Sequence, residues 1–77
     1  MSNLSQLKVG ERARVMGFGD SAGAYRRKLL SLGIMPGVEI HVVRVAPMGD
    51  PVEVRLRGFS LSLRKIEAAN LQVEKLA

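Results

Sequence analysis

The sequence predicts a mainly β fold: a small barrel of five short antiparallel strands, with one α-helix inserted after the first strand and a short helical turn near the C-terminus. Three observations carry this prediction. Val52, Val54 and Leu56 alternate with Glu53, Arg55 and Arg57, and Phe59, Leu61 and Leu63 alternate with Ser60, Ser62 and Arg64. That period of two marks strands with one face on a core and one in water. Tyr25, Leu29 and Leu32 stand at the i, i+4, i+7 spacing of one helical face. The chain has 77 residues, which is room for one modest core and no second domain.

Residues 12–18 form the first strand, with Ala13 and Val15 inward. The helix follows. Ala22 extends its apolar stripe, and Asp20 or Ser21 caps its N-terminus. Gly33 stands where a left-handed C-terminal cap belongs, and Pro36 comes soon after. Arg26, Arg27 and Lys28 fall mostly on the outer face. Residues 38–45 form the next strand. Its apolar phase changes from Val38, Ile40 and Val42 to Val43 and Val45, which predicts a bulge or bend near Val42. The two alternating runs meet at Arg57-Gly58, where Gly58 supplies the positive φ of a tight hairpin. Residues 65–69 make one helical turn, stopped by Asn70, and Leu71 and Val73 flank Gln72 in a short fifth strand. An antiparallel meander of this kind closes most simply as a barrel. The expectation is one SH3-like domain over residues 1–77.

Composition narrows the function. Apolar residues are 47% and charged residues 25% of the chain, the usage of a folded globular domain. There is no Cys, so disulfides, thiol chemistry and Cys-bearing zinc sites are excluded. His41 is the single histidine. The longest central run without a charged or strongly polar residue is 32–38, far short of the roughly 20 residues a spanning helix needs. The first seven residues lack the basic start and apolar run of a secretion signal. These features predict a soluble cytoplasmic protein. Twelve basic and seven acidic residues leave a net charge of +5, which favours an acidic partner, a membrane surface or nucleic acid without choosing among them.

No motif points to catalysis. Gly17-x-Gly19-x-x-Ala22 lies between a strand and a helix, as a dinucleotide fingerprint does, but hairpins follow it instead of a second α/β unit. It reads as a flexible glycine loop. The serines have only His41 as a base, and His41 sits at an outward strand position. Asp20 and Asp50 lie in turn-rich segments, where Asp serves local hydrogen bonding. The prediction is therefore no enzyme, no catalytic residue, no cofactor and no metal ligand set. The arginines suggest a basic nucleic-acid-binding module as the alternative. With Phe18, Tyr25 and Phe59 the only aromatics, however, the chain offers no stacking platform for single strands and no aromatic groove for proline-rich peptides.

Three ordered segments carry a resemblance. Leu29-Leu30-Ser31-Leu32-Gly33-Ile34-Met35-Pro36-Gly37, Val43-Arg44-Val45-Ala46-Pro47-Met48-Gly49-Asp50-Pro51 and Arg57-Gly58-Phe59-Ser60-Leu61-Ser62-Leu63-Arg64-Lys65 resemble the motifs of the bacterial ferrous iron transport protein A (FeoA) family. The resemblance covers about residues 4–75. It implies a small cytoplasmic SH3-like accessory of Fe(II) uptake, recruited to the inner face of the plasma membrane. The implied partner is FeoB, a membrane Fe(II) transporter with a cytoplasmic GTPase domain. On this reading the docking residues are Tyr25, Leu29, Leu30 and Met35 on the helix and its exit, and Pro47, Met48, Gly49 and Pro51 in the stiff loop. Arg26 and Arg27 steer association, since rim charges act mainly on the encounter. For Leu29 and Leu30, core packing is the competing expectation.

Overall fold

The computed structural model describes residues 2–19 and 23–76. Its strands are β1 (Ser2–Asn3), β2 (Arg12–Phe18), β3 (Glu39–Val45), β4 (Val52–Leu56), β5 (Phe59–Leu63) and β6 (Leu71–Leu76). A 3-10 turn spans Leu4–Gln6, α1 spans Gly23–Ser31 and α2 spans Lys65–Ala69. The strands form one sheet in the order β1-β6-β2-β3-β4-β5, antiparallel throughout. The mainly β expectation is met, but the strand count and the closure are not. There are six strands in an open sheet with β1 and β5 at its edges, rather than a closed barrel of five. The extra strand is short, and Leu4 and Leu7 follow it without alternation, so it carries no period for the sequence to reveal.

The predicted strands fall where their alternation put them. In β2, Ala13 and Val15 are buried while Arg12 and Arg14 are exposed. In β3 the register shifts between Val42 and Arg44, which is the bend foreseen near Val42, and it turns Val43 out to 38% exposure. β2 has its own shift between Val15 and Gly17. The turn between β4 and β5 places Arg57 at φ +51° and Gly58 at φ +83°, the paired left-handed conformations of a type I′ hairpin. Phe59 departs from expectation. It occupies an inward register position opposite the buried Leu56, yet it is 44% exposed, because β5 is an edge strand with no neighbour on its far side.

The core gathers one face of the sheet with Leu4, Leu29, Ile34 and Ala68, and Tyr25 and Leu32 pack at its margin. Burying side chains of this size gives about 1.5–3 kcal/mol each. Helix α1 ends as its sequence predicted. Gly33 takes φ +89°. Its N–H donates to the Leu30 carbonyl at 3.0 Å, and the Ile34 N–H donates to the Leu29 carbonyl at 3.0 Å. These two bonds make a Schellman cap, which turns the chain back so that Ile34 and Leu29 enter the core together. The predicted N-cap, Asp20 or Ser21, and Ala22 lie outside the described residues. The turn over α2 and its stop at Asn70 match the prediction.

Candidate functional site

Helix α1 is attached to the sheet by a narrow contact. Of its nine residues only Leu29 is fully buried, and the next residue, Leu30, is 41% exposed. Beside Leu30 the helix and the end of β2 leave a cleft of about 470 Å³, lined among others by Phe18, Gly19, Arg26, Leu30 and Pro36. The Arg26 guanidinium lies 5.7 Å from the centre of the Phe18 ring, within reach of a cation–π interaction. The sequence made this cleft in two ways. The i, i+4 spacing puts Arg26 and Leu30 on one helical face. Gly17 and Gly19 line the opposite wall, and Gly19 lets the chain pass close to Asn70, where a Cβ would stand 3.4 Å from Asn70 Oδ1. The result is an apolar floor flanked by a cation, suited to receiving an apolar side chain next to a carboxylate or carbonyl.

The predicted docking residues divide. Leu30 lines the cleft, and Met35, 37% exposed, adjoins its wall residue Pro36. Arg26 and Arg27 are both exposed, and Arg26 forms part of the cleft itself. Tyr25 is half-buried against the core. Leu29 is wholly buried and presents no surface, as the core-packing expectation held. Pro47, Met48 and Pro51 are exposed, Met48 at 89%. Their loop is closed by Gly49 N–H donating to the Ala46 carbonyl at 2.7 Å and by Ala46 N–H donating to the Pro51 carbonyl at 3.1 Å. Asp50 Oδ1 accepts the Lys65 N–H at 3.1 Å, so this loop is anchored on the start of α2 and not on the cleft.

Sequence reasoning missed several participants. Phe18 and Pro36 were read as a strand end and a helix stop. The exposed Phe59 was assigned to the core, although Cβ on Gly33 would come within 4.0 Å of its Cζ. Glu67 went unnoticed. It is 2% exposed and joins α1 to α2 through a 2.5 Å ion pair with Lys28, while its Oε1 accepts the Arg64 N–H at 2.8 Å. The readable signal was a Glu at the third position of a short helix, where it can reach back to the first free N–H. Burial acts to raise the Glu67 carboxyl. The Lys28 ammonium and the Arg64 N–H outweigh it and hold the group below the usual carboxylate range. His41 is exposed on β3. Among the described residues no cluster of three or more His, Cys, Asp or Glu is placed to hold a metal ion.

An antiparallel sheet with a peripheral helix defines a small SH3-like domain. Residues 2–75 match the FeoA domain model, and the chain belongs to the FeoA family. A FeoA-like protein from Clostridium acetobutylicum is 42% identical and superposes with a TM-score of 0.90, over 99% of this chain and 87% of that one. Stenotrophomonas maltophilia FeoA, a prokaryotic SH3 domain protein solved with zinc, is 30% identical with a TM-score of 0.82, over 96% and 91% of the two chains. The Fe(2+) transport protein A/Fe(2+) transporter FeoB fusion protein of Porphyromonas gingivalis is 35% identical over 74 residues, 96% of this chain. This chain spans only 9% of that protein's length.

Proposed function

We propose that this protein is a non-enzymatic accessory of bacterial Fe(II) uptake that docks on FeoB from the cytoplasmic side and modulates it. The observation that carries the reading is the relative in which a domain like this one is joined to FeoB in a single polypeptide. Two domains fused in one chain work at high effective concentration of each other, which supports FeoB as the partner of a domain of this family. The cleft beside Leu30 is the surface offered here, with Met35 at its edge and Arg26 and Arg27 as steering charges. The 47–51 loop is a second contact, already ordered and therefore cheap to bind in entropy.

Leu30→Gln tests it. The side chain is 41% exposed and makes no Schellman bond through its own side chain, so the variant should melt within about 2 °C of the parent. Its affinity for detergent-solubilised FeoB should fall by about tenfold or more, the effect of losing one well-placed apolar anchor. Unchanged affinity in a folded variant overturns the cleft as the docking site.

A further inference from the structure

The outer face of the sheet carries a pattern that the docking cleft does not use. Cross-strand register puts Arg12 opposite His41 and His41 opposite Arg55. All three are exposed, and adjacent strands are about 4.8 Å apart, so Arg–His–Arg runs as one row across β2, β3 and β4. Arg12 pairs with Glu39 at 3.5 Å. Among the described residues no carboxylate comes within ion-pair distance of Arg14, Arg44, Arg55 or Arg57, all exposed. Arg55 and Arg57, with Glu39, line a shallow hollow of about 450 Å³. Two apolar side chains share this face. Met16 follows Arg12 and Arg14 on β2 at 44% exposure, and Val43 follows His41 on β3 at 38%.

We propose that this face binds anionic membrane lipid, with Arg12, His41 and Arg55 engaging headgroup phosphates and Met16 and Val43 entering the interface beside them. The Arg–His–Arg row runs across three adjacent strands with exposed apolar side chains beside it, an arrangement suited to an extended anionic surface. Stacking rings are not available there. Phe18 belongs to the cleft, Tyr25 packs on the core and Phe59 stands at a core-side register position of β5. Basic side chains interleaved with exposed apolar ones are what the headgroup boundary of an anionic bilayer selects, and arginine suits phosphate oxygens through its planar fork.

Co-sedimentation with vesicles tests this without any transporter, so it stands or falls separately from docking on FeoB. Vesicles of phosphatidylcholine with roughly 30% phosphatidylglycerol should bind the protein about tenfold better than phosphatidylcholine alone at about 50 mM NaCl. Binding should drop about fivefold at roughly 300 mM as charges are screened. Arg12→Gln with Arg55→Gln should cut binding about fivefold, whereas Arg26→Gln with Arg27→Gln, the same charge loss on α1, should stay within about twofold. Met16→Ser should weaken binding even at the higher salt. If the Arg12/Arg55 pair fails to fold, His41→Glu places a carboxylate at the centre of the row and should give the same loss. Equal losses from the sheet and helix pairs, or no preference for anionic vesicles, overturn the proposal. So does an RNA oligomer that binds more tightly than vesicles at equal phosphate.

Discussion

Glu67 shows what one side chain can do in so small a protein. Its carboxylate is almost fully removed from water, yet it is held ionised by Lys28 from α1 and by the Arg64 N–H of its own helix. A carboxyl whose folded pKa lies below the unfolded value of about 4.3 stabilises the fold above that pH. The contribution is lost as pH falls through the folded pKa. Glu67→Gln should therefore cost about 1–2 kcal/mol at neutral pH, as expected for hydrogen bonds to a charged group. It should also flatten the acid limb below about pH 4.3, read by urea denaturation across pH. A variant whose stability falls as steeply with acid as the parent's would remove Glu67 from this role. The residue scale is also where the sequence was least legible. Gly58 announced its turn because only glycine takes φ +83° freely. Arg57, at φ +51° beside it, gave no sign, since arginine has no preference for that conformation. Phe59 misled for a related reason: alternation reports which side of a strand faces inward, and is silent on whether the strand lies at the edge of its sheet, as β5 does.

At the scale of elements, α1 is the part least tied to the rest. Strands β2, β3, β4 and β6 each bury at least two residues, while α1 inserts only Leu29 and leans on Tyr25 and the Lys28–Glu67 pair. Few buried contacts mean a low local opening free energy. Amide exchange should show α1 opening before the β2–β3–β4 ladder, with its amides about 10-fold or more less protected. Gly33→Ala should widen the gap, because a Cβ at a left-handed position costs about 1–2 kcal/mol, and the Schellman cap is what anchors the helix exit. Uniform protection across helix and sheet would contradict this account. The helix itself was plain in the sequence. Its stripe spacing, Gly33 and Pro36 each reported a local rule. Its partners were not plain: Lys28 and Glu67 are 39 positions apart along the chain, and nothing local links them. The cleft likewise brings together the end of β2, the outer face of α1 and Pro36, a placement that no local rule reports.

The whole molecule explains why a two-residue strand matters. With a Cα radius of gyration of 10.9 Å and extents of 27 × 25 × 24 Å, the sheet curls until its faces nearly enclose the core, but it does not close on itself. The interior that an open sheet leaves exposed is covered by α1 and its exit, through Leu29 and Ile34, by α2, through Ala68, and by the N-terminal segment, through Leu4 and Leu7. The latter is held by β1, which pairs Ser2 with Val73 and Asn3 with Gln72, and by the Gln6 side chain, which accepts the Asn3 N–H at 3.0 Å. Leu4 is fully buried against the side of the core where α2 sits. A domain this small has little stability in reserve, of the order of 5–10 kcal/mol. Leu4→Ala removes one of its largest buried side chains and should cost about 2–5 kcal/mol, enough to lower the melting temperature by roughly 10–30 °C. Leu30→Gln, one of the exposed apolar positions, should cost almost nothing in the same measurement. The pair of melts thus separates residues that build the fold from residues that the fold presents. If Leu4→Ala melted like the parent, the N-terminal segment would be an appendage, and the sheet from β6 to β5 would have to hold its core without it.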